Sequence, residues 1–153
     1  MRITKEEGLQ NLARLIDLVE RAHPKKFNLH YFVGGQLNPK EMVKNLEEVG
    51  TCGTTACFFG FSPLVTDLME WTDRGDLIPT GEPTSPRIWT RIAEAFGITP
   101  DEALYIGKPR AFPDSDDDTA KRHNSKEATI ERAKLVLRTN LASLADKNWT
   151  HYE

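Results

Sequence analysis

The sequence predicts a mainly α-helical fold: one compact domain over residues 1–153, about six helices, and at most a small β-hairpin. Three observations carry this expectation. Thr4 with Glu7 and Thr99 with Glu102 form capping boxes, in which a hydroxyl and a carboxylate satisfy the free amides at a helix start. Apolar residues recur at every third or fourth position over long stretches. The run DRGDLIPTGEPTSP gathers the turn formers Gly and Pro into one central segment.

The first helix follows Thr4. Leu9, Leu12, Ala13, Ile16 and Val19 make its apolar stripe, which ends near His23-Pro24. FNLHYFVGG comes next and reads equally as a short strand or an aromatic loop. Asn38-Pro39 then supplies an N-cap and a first-turn proline for a helix ending at Gly50, with Met42, Val43 and Leu46 on its apolar side.

A short helix is expected from about Thr54. Ser62-Pro63 should divide it from a second that runs to about Trp71, because proline restricts its predecessor and lacks an amide donor. DRGDLIPTGEPTSP is a loop or short hairpin. Ser85-Pro86 opens a helix bearing Ile88, Trp89, Ile92, Ala93 and Phe96 on one face and stopped by Gly97. Thr99-Pro100-Asp101-Glu102 begins the next. After the acidic loop PRAFPDSDDDTAKRHNS, Asn124 or Ser125 caps a final long helix with Ile130, Ala133, Leu137, Leu141 and Leu144 as its inner stripe.

Composition bounds the function. A chain of 153 residues, 39% hydrophobic and with three Trp, seven Phe and three Tyr, can bury a core without metal or disulfide staples. The net charge of -3 gives no general attraction to nucleic acid or anionic lipid. Mean hydropathy is -0.51. No apolar run approaches the roughly 18 residues of a membrane span, and MRITKEEGLQ lacks the apolar core of a signal peptide. Two cysteines make no disulfide framework, so a cytoplasmic protein with reduced thiols is expected. No membrane partner and no cofactor is called for. The oligomeric state is left open.

The candidate chemistry centres on Cys52-Gly53-Thr54-Thr55. A thiol at a helix start is acidified by the free amides and the macrodipole, and the amides after Cys52 would hold an oxyanion, phosphate or nucleotide. A cysteine enzyme needs a base, for which His23 and His30 are the candidates. Against this, cysteine is among the most buried residue types, and Phe58, Phe59 and Phe61 set Cys57 in a core context. Two Cys with His23 and His30 lack zinc-site spacing, so no metal site is expected. Asp114, Asp116, Asp117 and Asp118 resemble a calcium loop but are followed by Thr119 and Ser125 where Gly and Glu belong.

Residues 87–107 have a helix-turn-helix outline, yet the second helix opens with Asp101-Glu102, which repel phosphates. Nucleic-acid binding therefore ranks third. Phe27, Tyr31 and Phe32, if exposed, would form a partner surface.

The stretch Cys52-Gly53-Thr54-Thr55-Ala56-Cys57-Phe58-Phe59-Gly60, together with His23-Pro24 and the Ala93–Ala103 segment AEAFGITPDEA, resembles a group of small helical proteins of bacteriophages and bacterial genomes whose mark is C-G-T-x-x-C-x-x-G. The resemblance implies a helical fold and a phage or mobile-element origin, and it brings no activity with it. The Asn38–Gly50 helix and the Phe59-Gly60-Phe61-Ser62-Pro63 run depart from that pattern. The leading expectation is a non-enzymatic accessory protein that binds and modulates a host protein. The thiol-enzyme or anion-binding reading at Cys52 is the alternative.

Overall fold

The computed structural model describes residues 3–22, 33–34, 55–56, 58–72, 77–82, 87–107 and 126–150. These form α1 (Lys5–Arg21), β1 (Val33–Gly34), β2 (Thr55–Ala56), a 3₁₀ helix (Phe59–Leu64), β3 (Met69–Trp71), β4 (Leu77–Pro79), α2 (Ile88–Phe96), α3 (Pro100–Gly107) and α4 (Lys126–Thr150). The fold is mainly helical, as expected. Among the described residues there are four α-helices and one 3₁₀ helix, fewer than expected, and two short antiparallel strand pairs. The helix expected over Asn38–Gly50 lies outside the described residues, as do Ser85-Pro86 and the caps Asn124 and Ser125.

Local sequence explains the ends of α1. The Thr4 hydroxyl accepts from Glu7 N at 3.1 Å and donates to Glu7 Oε1 at 3.0 Å. At the far end the Lys126 ammonium donates to the carbonyls of Glu20 and Ala22, supplying donors to a C-terminus that has run out of amides. Leu9, Leu12, Leu15, Ile16, Leu18 and Val19 are buried, whereas Ala13, expected in the stripe, is exposed. Helix α1 packs against α2 and α4.

Residues 55–71 depart most from expectation. In place of the helix expected from about Thr54, Thr55 and Ala56 form β2, which pairs with β1 in the register Val33↔Ala56 and Gly34↔Thr55. Ser62-Pro63 does not separate two helices but sits inside the single 3₁₀ helix. In such a helix the amide of residue 63 would donate to the Gly60 carbonyl, and proline has none to give. The Trp71 indole supplies the missing donor, Nε1 to Gly60 O at 2.7 Å. Trp71 is in β3, not in a helix. Met69↔Pro79, Glu70↔Ile78 and Trp71↔Leu77 make the hairpin that the turn-rich segment allowed.

The core is continuous across α1, the 3₁₀ helix, the hairpin, α2, α3 and α4. Phe59 is its centre. Its ring lies 5.0 Å from Phe58, 5.4 Å from Phe96 and 6.1 Å from Trp89. Burying each such ring contributes roughly 1.5–3 kcal/mol. Trp71 and Trp89 are half-buried against this core rather than displayed.

Helix α2 stops at Gly97, whose φ of 68° is the left-handed conformation that glycine adopts without strain. In α3 the capping box is reciprocal, Glu102 N to Thr99 Oγ1 at 3.1 Å and Thr99 N to Glu102 Oε1 at 2.9 Å. Helix α4 turns a partly polar face inward: Thr129, Arg132 and Asn140 are buried beside Ile130, Ala133 and Val136. Leu137 and Leu144 pack at the core's edge, but Leu141, expected inside, is 48% exposed. No helix among the described residues is long and apolar enough to cross a membrane.

Candidate functional site

Most of the sequence's candidate residues lie outside the described part of the structure. This applies to Cys52, Cys57, Gly53, Thr54, His23, His30, Phe27, Tyr31, Phe32 and the aspartates from Asp114 to Asp118. Thr55 is described through its backbone alone, as part of β2. The helix expected from about Thr54, at whose start Cys52 would stand, is not formed at Thr55, which is extended. Among the described residues no three His, Cys, Asp or Glu side chains gather closely enough to hold a metal ion.

The helix-turn-helix segment exists as α2, the Gly97 turn and α3. Its second helix exposes Asp101 and Tyr105, while Ala103, Ile106 and Gly107 are buried. It offers no Arg, Asn or Gln to a base edge.

What the structure does assemble is a cleft of about 890 Å³ where five segments meet. Ile3, Thr4 and Lys5 come from the start of α1, Asp67 to Met69 from the entry to β3, and Pro79, Thr80 and Glu82 from the turn after β4. Arg91 and Glu94, with Gly97 to Thr99, come from α2 and the turn after it, and Asn140 comes from α4.

Rigid turns present its rim. Glu82 N donates to Pro79 O at 3.0 Å, and Gly81 takes the positive φ of 85° that the third position of this turn requires. Thr80 N donates to Leu68 O at 3.0 Å, and the Thr80 hydroxyl donates to Asp67 O. Leu68 N donates to Thr66 Oγ1 at 3.2 Å, closing the turn that carries Asp67. Arg91 bridges the hairpin to α2, its guanidinium 3.3 Å from Glu82 and 3.2 Å from Glu94.

The floor is apolar where Leu68, Met69, Ala95 and Ile98 meet, and one buried amide interrupts it. Asn140 is 6% exposed. Its Nδ2 donates to Glu102 Oε2 at 2.8 Å and to Val136 O at 2.9 Å. Both amide protons are thereby used, which fixes the side chain. Glu102 thus closes the α3 capping box with one oxygen and anchors α4 with the other.

Two charges elsewhere are perturbed. Burial pushes the Arg132 guanidinium below its usual range, partly offset by the nearby Tyr105; Nη2 donates to Ile106 O and Thr129 Oγ1, both at 3.1 Å. The Lys134 ammonium is raised, first by its hydrogen bond to Glu20 at 2.9 Å and then by that carboxylate's charge.

None of the cleft residues was singled out from the sequence as a site. Asn140 gave no signal, because it is buried on a face that the expected stripe of Leu137 and Leu141 did not mark. Asp67, Glu82, Arg91 and Glu94 had none, because separate segments bring them together without a shared motif. No family model, curated protein or solved structure matches the chain.

Proposed function

We propose that this chain is a non-enzymatic interaction protein whose cleft receives a segment of a protein partner. The observation that carries the proposal is an apolar floor enclosed by a rim whose turns are already held in place. A preformed cleft loses little conformational entropy when it is filled, so binding draws fully on the apolar area it covers. At the rim Arg91 pairs with Glu82 and Glu94, an arrangement that selects an orientation rather than one that activates a nucleophile. The resemblance carried by Cys52 to Gly60 adds the setting: a phage or mobile-element accessory protein acting on a host protein in the cytoplasm.

A photo-crosslinking residue placed at Thr80, on the cleft rim, and separately at Ser143, on the exposed side of α4, tests this in host extract. The expected result is a discrete protein adduct from position 80 that is absent from position 143. Unlabelled wild-type chain should compete it away and Leu68→Arg should not. Equal adducts from both positions, or stabilisation by small molecules without any protein adduct, would contradict the proposal.

A further inference from the structure

We draw no further inference here: the strongest candidate, the apolar surface that the exposed Leu135 and Leu141 give to α4, carries nothing because nothing in the structure shows what covers it.

Discussion

Gly8 and Gly97 touch backbone to backbone. A Cβ on Gly8 would lie 2.3 Å from Gly97 N and 2.7 Å from its Cα, and one on Gly97 would lie 2.5 Å from Lys5 O. This contact seats the first turn of α1 on the turn between α2 and α3, and both turns form one wall of the cleft. In an isolated helix Gly8→Ala would gain about 1 kcal/mol of propensity. Here the clash is with main chain, which cannot swing aside, so we expect a net loss of about 1–3 kcal/mol. Gly97→Ala adds the cost of a left-handed residue, about 1–2 kcal/mol more. Chemical denaturation of the two variants checks the order. An unchanged or raised midpoint for Gly8→Ala would show that the helices do not approach as described.

Glu102 and Asn140 should behave as a coupled pair. Glu102→Ala removes an acceptor from Thr99 N and from Asn140 Nδ2 together, for an expected loss of about 1–3 kcal/mol. Asn140→Ala should cost less in the Glu102→Ala background than in the wild type. A double-mutant cycle measures this, and strict additivity would mean the contact carries no energy.

Gly60 and Trp71 give a test with a rescue built in. Trp71→Phe keeps the ring in place and leaves the buried Gly60 carbonyl without its donor, a loss of about 1–3 kcal/mol. Pro63→Ala restores a backbone amide at the position where a 3₁₀ helix would place that donor. We therefore expect Pro63→Ala to recover part of the stability in the Trp71→Phe protein and little in the wild type. Equal effects in both backgrounds would contradict the substitution of indole for amide.

The Glu20–Lys134 pair sets a pH dependence. Lys134 is raised above its usual 10.5 in the folded protein, so its contribution is present below that value and is lost as pH rises through the folded one. Lys134→Gln should lower the melting temperature slightly at neutral pH, with the difference shrinking above pH 10.5 and in high salt. A difference that grew with pH would exclude this origin.

What was legible in the sequence was local. The capping boxes at Thr4 and Thr99 and the stop at Gly97 join residues within one turn, so spacing alone reveals them. The segment from Phe59 to Trp71 was misread because its decisive bond joins Gly60 to a side chain eleven positions on. Pro63 signals a break unless that donor is seen. The polar inner face of α4 was missed for a related reason. Arg132 and Asn140 look like surface residues until Ile106 O and Glu102, from α3, are placed against them. Leu141 then takes an outward position that an apolar pattern cannot reveal. The cleft combines five segments, and no window of sequence contains it.

The most direct test of the central claim, that the cleft is where a partner docks, is a methyl NMR map of the full chain titrated with the partner or peptide captured at position 80. Methyl signals of Leu68, Met69 and Ile98, which line the cleft, are expected to shift saturably, while Leu135 and Leu141, exposed on α4, stay in place. Shifts confined to Leu135 and Leu141, with Leu68, Met69 and Ile98 unmoved, would place the docking surface elsewhere and contradict the account.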